Sequence, residues 1–391
     1  MIAVEEAKRI MMAHVPPLPF VPTLVEETNG CVLAQDVFAP HPHPLFDMSA
    51  VDGYALCGEG PVWVVRGSVP AGHAFEHHLR DGECARVFTG APVPTGTRCV
   101  LMQEHAERNA TELRATAPLP AVGGNVRRRG EQFQVGELLL SRGTRMEPAG
   151  IGLLASAGLT EVDVAFKPYV AIVRTGDEFV EGTAPQPARI FSSNDRMLHA
   201  ALHGEDCEVD EQIAFPAGDD DASITNALRD ALEADVIITT GGVSVGDHDR
   251  VENVLRSMGG TVHFHGVAQK PGKPMLFATL QGKPVFGLPG NPRAVMVLYW
   301  EYVLPFLRAM QGTEDPWLPQ ARLPLTHAVE LKGDRAEFRA ALLRNGQVML
   351  LPDEGSHMLR SVSAASLLAF FPPEKRTWSE GEPIEVHFLP R

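Results

Sequence analysis

Cysteine is scarce: five occur in 391 residues, at 31, 57, 84, 99 and 207, with no C-x-x-C pair and no zinc-like spacing. An odd, scattered set fits reduced thiols better than a disulfide framework. Positive charge is short as well, since 34 Lys and Arg face 49 Asp and Glu for a formal net charge of −15. That balance argues against wrapping nucleic acid, although anionic ligands remain possible where basic residues converge. No apolar run approaches the roughly 18–20 residues of a transmembrane helix. The opening MIAVEEAKRIMMAHV has acids near its start and no long apolar stretch, so it does not read as a signal peptide. The expectation is a cytoplasmic protein with no nucleic-acid and no membrane partner. The close pairs His41/His43, His77/His78 and His263/His265 lack a third histidine or a carboxylate at zinc spacing, so no histidine-based metal centre is expected. Neither G-x-x-x-x-G-K-[ST] nor G-x-G-x-x-G occurs in the glycine-rich loops, which sets aside the usual nucleotide fingerprints.

What is present divides the chain. Its length suits about two to four domains. Residues 1–40 begin with an amphipathic helical pattern and a Pro-rich break, and residues 127–165 return to similar mixed character. We read these as one discontinuous mixed domain, 1–40 plus 127–165, around an inserted β-rich domain, 41–126, of barrel or sandwich type. From 166 to 312 strand and helix alternate. Val170–Val173, Val209–Phe215, Val236–Thr240 and Pro284–Leu288 read as strands; Ser193–Leu202, Ala222–Glu233, Arg250–Met258 and Pro292–Met310 read as helices. Such alternation predicts a central doubly wound parallel α/β domain whose ligands sit at the carboxyl ends of its strands. Residues 313–391 read as a C-terminal β-domain of barrel-like type.

The chemistry sits in loops at those strand ends. Val236–Thr240 runs into Gly241-Gly242-Val243-Ser244-Val245-Gly246-Asp247-His248-Asp249, and a helix follows. Glycines let backbone N–H groups approach an oxyanion, and a helix N-terminus adds positive potential. Thr175-Gly176-Asp177-Glu178 follows another strand, and its carboxylates suit a hard cation such as Mg²⁺, with Asp249 able to complete a site with Glu178. Gln269-Lys270-Pro271-Gly272-Lys273-Pro274 places two lysines on a stiff loop, a compact claw for a phosphate or metal oxyanion. Gly287-Leu288-Pro289-Gly290-Asn291-Pro292 opens the last helix of the alternating region. Taken alone, the loops Phe46–Ala55 and Thr89–Gly96 read as turns and the run Arg127–Arg129 as a solvated face. Jointly, the strand-end loops describe a pocket for a phosphorylated or adenylated ligand, a second oxyanion and a divalent metal.

The set S-A-V-D-G-Y-A, T-G-A-P-V-P-x-G, R-R-R-G-E, T-G-D-E, G-G-V-S-V-G-D-x-D, K-P-G-K-P and G-L-P-G-N-P, in this order, resembles the molybdopterin molybdenumtransferase family of MoeA and gephyrin-type molybdenum insertases. The resemblance implies insertion of molybdate into adenylylated molybdopterin with release of AMP, aided by Mg²⁺ or another divalent cation, in a molybdenum cofactor biosynthesis pathway. It implies a four-domain homodimer whose cleft is completed by the second subunit, and the upstream molybdopterin adenylyltransferase as a partner. Matched by motif, Asp47 and Thr89 correspond to residues that matter for activity from the partner's side of the cleft. Glu178 and Asp249 correspond to the acids associated with the metal and the pterin phosphate. Ser244, Lys270, Lys273 and Pro274 fall in the molybdate and substrate region, with Gly176, Asp177, Gly241, Gly242, Gly246, Pro271, Gly290 and Asn291 around them. In the last domain, Arg335 or Arg339 and Ser356 correspond to cleft-facing residues. The sequence departs from the family pattern at Gln132, in place of an acid, at His265, at Arg174, and at Arg293-Ala294, where a hydroxyl is lost and an arginine gained. A divergent, non-catalytic scaffold on the same fold, or a paralogue handling tungstate, is the alternative.

Overall fold

A computed structural model describes the chain except residues 181, 206, 210–213, 244–249, 353–354, 356 and 391. The central sheet explains where the site lies. Its hydrogen-bonded order runs 208–209, 169–175, 236–240, 283–288, 276–280 and 261–265, with 215–217 also pairing to 169–175. Strands Tyr169–Thr175, Val236–Thr240 and Lys283–Leu288 are mutually parallel. Tyr169–Thr175 and Val236–Thr240 are rich in β-branched residues, and all three strands are largely buried because the sheet is covered on both faces. Val170, Ile172, Val236 and Ile238 pack to one side, with Leu198 and Leu202 from helix Asn194–Gly204. Ala171, Val173 and Ile237 pack to the other, with helices Asp221–Asp230 and Arg250–Ser257.

The expectation of a parallel sheet needs one correction. Leu276–Leu280 and Thr261–His265 join antiparallel, so the sheet is mixed. The cause is local: Gln281 and Gly282 both take positive φ, 50° and 81°, in a two-residue turn. Such a turn makes a hairpin and cannot make a crossover. A second correction concerns 209–215, where strands Glu208–Val209 and Phe215–Ala217 stand apart and 210–213 lie outside the described residues. A third concerns the helix over 292–310. It is helical throughout, but Tyr299–Val303 forms a π-turn in which the Leu304 N–H reaches back to the Tyr299 carbonyl.

The first helix, Val4–Met12, was grouped by sequence with the mixed domain. Its apolar stripe Val4, Ala7 and Met11 instead enters the core of the central domain. The rest of the mixed region pairs Phe20–Leu24 with Glu161–Ala165 and Val37–Phe38 with Leu138–Leu140. Residues 53–115 carry a six-stranded sheet with small cores on both faces, and Met48–Ser49 pairs separately with Val126–Arg127. In the C-terminal region Ala336–Arg344, Leu367–Phe371, Pro383–Phe388 and Gln320–Pro324 form consecutive antiparallel neighbours. Gln347–Leu350 pairs back to the first of these, and a Leu325–Val348 bridge closes the array into a barrel-like shape. Among the described residues no helix is long and apolar enough to cross a membrane.

Candidate functional site

The K-P-G-K-P loop leaves the central sheet and joins the C-terminal one. Gln269–Lys270 adds to the barrel as a parallel strand, with Gln269 opposite Ala336 and Lys270 opposite Glu337. Gly272 then turns the loop onto the last helix: its φ is 93°, and a Cβ there would meet the Leu298 side chain at 2.8 Å. Only glycine permits that approach. The result is a cavity of about 300 Å³ at the junction, lined among the described residues by Lys270, Lys273, Arg293, Arg335 and Arg339 and by one carboxylate, Glu337. Pro271, Pro274, Asn291, Ala294 and Phe338 complete its walls.

Among the described residues five basic groups and one acid line this cavity of an otherwise acidic chain. Glu337 is buried and sits 3.1 Å from the Arg339 guanidinium and 3.7 Å from the Lys270 ammonium. Arg335 donates through Nη1 to the Gln269 carbonyl at 3.2 Å. Lys270 and Lys273 are exposed at the rim. The surplus positive charge suits an oxyanion.

A second wall stands at the strand ends. Gly241 has φ 93°, and a Cβ on it would lie 2.6 Å from Thr175 Oγ1, so glycine lets the ends of two strands close together. Asn194 Nδ2 donates to Thr240 Oγ1 and to the Gly290 carbonyl, both at 2.9 Å. It thereby staples the Gly241-Gly242 loop to the Gly290-Asn291 loop. Asn194 opens helix Asn194–Gly204, and its side chain serves the loops. Asp195 likewise pairs with Arg174 at 3.2 Å, and the Arg174 guanidinium lies over the Phe179 ring. The departure at Arg174 is thus bound up in local structure.

Asp177 and Glu178 are exposed beyond strand Tyr169–Thr175, and the Glu178 carboxylate folds back over Gly176. Among the described residues no three His, Cys, Asp or Glu converge as a metal cage. One exposed carboxylate fits a divalent cation held mainly by phosphate oxygens and water, as Mg²⁺ commonly is. Ser244, Gly246 and Asp249, and Ser356 in the last domain, lie outside the described residues.

Asp47 and Thr89 are not brought to this cavity within one chain. Asp47 accepts from Arg128 Nη1 at 2.6 Å and from the Arg129 N–H at 2.8 Å. Burial opposes its charge, but those donors outweigh it and hold the carboxyl below its ordinary value. Thr89 donates through both its N–H and its hydroxyl to Asp52, each at 2.8 Å, which lowers the Asp52 pKa. Gln132 lines a separate small cavity with His43, Met48 and Arg127. Of the departures only Arg293 and Ala294 face the cationic cavity. His265 contacts Glu252 at 2.6 Å and the Val243 carbonyl at 3.3 Å. Sequence reasoning missed Glu337, Phe338 and Asn194; Glu337 lies in a strand, where alternation alone does not tell a site carboxylate from a solvated one.

Comparison with known proteins shows the family. Residues 2–158 match the MoeA N-terminal region (domain I and II), 171–309 a probable molybdopterin binding domain, and 322–389 the MoeA C-terminal region (domain IV). The chain is 33% identical over 405 residues to molybdopterin molybdenumtransferase 2 of Mycobacterium tuberculosis, covering 99% of both. It is 31% identical to the molybdopterin molybdenumtransferase of Haemophilus influenzae, covering 99% of this chain and 98% of that one. A molybdopterin biosynthesis MoeA protein from Pyrococcus horikoshii OT3 superposes with a TM-score of 0.86 at 26% identity over the full length of both chains.

Proposed function

The chain belongs to the molybdopterin molybdenumtransferase family, and from that premise we propose that it inserts molybdate into adenylylated molybdopterin, releasing AMP and leaving molybdenum cofactor. The carrying observation is the cavity where, among the described residues, five basic side chains gather around one carboxylate. The physical demand is to hold two anions side by side. Two unit charges 4 Å apart repel by about 4 kcal/mol at an effective dielectric of about 20. Lys270, Lys273, Arg293, Arg335 and Arg339 offset that repulsion for molybdate. The Gly241 N–H is taken by the Leu288 carbonyl at 3.0 Å, and the loop, held by Asn194 against Gly290, offers the Gly242 N–H to a phosphate. Proximity of the two bound groups then supplies much of the rate.

Glu178, with Asp249, would hold a divalent cation, which when bound polarises the phosphoanhydride as a Lewis acid. Asp47 and Thr89 would reach the cleft from a second copy of the chain. The exposed apolar side chains Phe20, Leu24, Phe38 and Leu138 of the mixed domain support such a homodimer, because a second copy would take them out of water. Cytoplasmic synthesis, and supply of substrate by a molybdopterin adenylyltransferase, follow from this reading.

The direct test incubates purified protein with adenylylated molybdopterin, Mg²⁺ and molybdate, and measures AMP chromatographically. Release should depend on molybdate. A folded protein that releases no AMP under these conditions sinks the proposal, and release equal with tungstate would broaden its substrate to both oxyanions.

A further inference from the structure

The π-turn in the last helix has a chemical cause and a positional effect. Pro305 has no N–H to offer the Glu301 carbonyl, and its ring crowds that carbonyl. A widened turn just before it relieves both problems. The widened turn buries Tyr299, Glu301, Tyr302 and Val303 together. Tyr302, fully buried, donates its hydroxyl to Gln269 Oε1. Gln269 is fully buried too, and its Nε2 donates to the Pro271 carbonyl at 2.8 Å. Its main chain joins the barrel strand opposite Ala336, and its carbonyl accepts from Arg335. One side chain therefore links the π-turn to the bend between Lys270 and Gly272.

We infer that Tyr302 is a positioning residue for the cationic loop, acting through Gln269 to fix where Lys270 and Lys273 meet the oxyanion. The reading that this cavity takes molybdate is its premise. The Tyr302 hydroxyl supplies the partner that a buried amide oxygen requires. With Gln269 Oε1 satisfied, its amide nitrogen stays oriented toward Pro271, and the loop has one arrangement. Without the hydroxyl, the amide is free to turn over, and the bend loses its anchor.

The neighbouring Tyr299 is an internal control. It is equally buried in the same turn, but its hydroxyl donates to the Ala201 carbonyl at 3.1 Å, away from the loop. The experiment compares the full chain with Tyr302→Phe and Tyr299→Phe by hydrogen exchange of the peptide covering residues 267–276 and by calorimetric titration with molybdate. Tyr302→Phe should speed exchange of that peptide and weaken molybdate binding roughly fivefold to tenfold, the scale of one buried hydrogen bond. Tyr299→Phe should change neither, even if both variants melt earlier. Parent-like exchange or parent-like molybdate affinity in Tyr302→Phe overturns the inference, as does an equal effect of Tyr299→Phe. If the parent chain itself binds no molybdate, the functional reading fails first, and loop exchange alone decides the role of Tyr302.

Discussion

Glu337 determines how the cationic cavity holds together. Its carboxylate is buried between Arg339, itself largely buried, and the half-exposed Lys270. A buried charge that loses its partner is costly, whereas an exposed ion pair contributes little. Arg339→Ala should therefore lower unfolding free energy by about 3 kcal/mol. Lys270→Ala should cost less than about 1 kcal/mol of stability, yet weaken molybdate binding on the order of tenfold or more through loss of a charge-assisted hydrogen bond. Urea unfolding and molybdate titration of the two variants separate these effects. Equal destabilisation by both, or undiminished affinity in Lys270→Ala, would contradict the division of labour. At this scale the lysines, the glycines and Asn291 were legible in the sequence, because loop chemistry is local. Glu337 and Asn194 were not, because their roles depend on which strand or loop lies opposite them.

Among the elements, the last helix joins three parts of the chain. Its π-turn presents Glu301 to Lys8 of the first helix at 2.8 Å and to His387 of the last strand at 2.7 Å. Glu385 lies on the other side of His387 at 3.1 Å, and Phe338 and Phe370 pack on its ring. Burial opposes charge on His387, but Glu301 and Glu385 outweigh it and raise the pKa above the ordinary 6.5. Burial likewise opposes the Glu301 charge, and Lys8 and His387 outweigh it, leaving its pKa below 4.5. A raised folded-state pKa contributes stability that is complete below the unfolded value and is lost as pH rises through the folded one. The Glu301 contribution is present above its unfolded value and is lost as pH falls through its lowered one. The difference in melting temperature between the parent and His387→Gln should thus be widest near about pH 6 and shrink toward about pH 9. His263, whose pKa burial and His14 push down, acts in the opposite sense but equally in both proteins. A gap that grows with pH would overturn the assignment. Pro292 at the start of this helix and its apolar content were readable from sequence. The π-turn was not, since an interior Pro305 is compatible with a kink, a break or a widened turn, and packing chooses among them.

For the whole molecule, the separation of Asp47 and Thr89 from the Lys270 cavity is the decisive geometric fact. If both sets serve one cleft, a second copy must supply one of them. Asp47→Ala and Lys270→Ala chains, each with little activity alone, should regain molybdate-dependent AMP release when unfolded together and refolded as a mixture. Mixed dimers would then contain one cleft with neither substitution. Failure to regain activity, with dimers shown by light scattering at twice the 42.4 kDa chain mass, would place all working residues of a cleft in one chain.

The amino-acid order alone determined the alternation of strand and helix in the middle of the chain, the glycine and lysine loops at strand ends, and membership of a family with those motifs in that order. Such features follow from local backbone preference and from hydrophobic period, which neighbouring residues set among themselves. The tertiary structure decided the rest. It sent the first helix into the central core. Through Gln269–Lys270 it also drew the lysine loop into the C-terminal barrel, where Glu337, Arg335 and Arg339 meet it. Strand Leu367–Phe371, a short apolar run with no period of its own, became part of that barrel only through its neighbours. Contacts between residues some seventy positions apart depend on packing and on pairing of buried charges, and no local pattern in the chain encodes them.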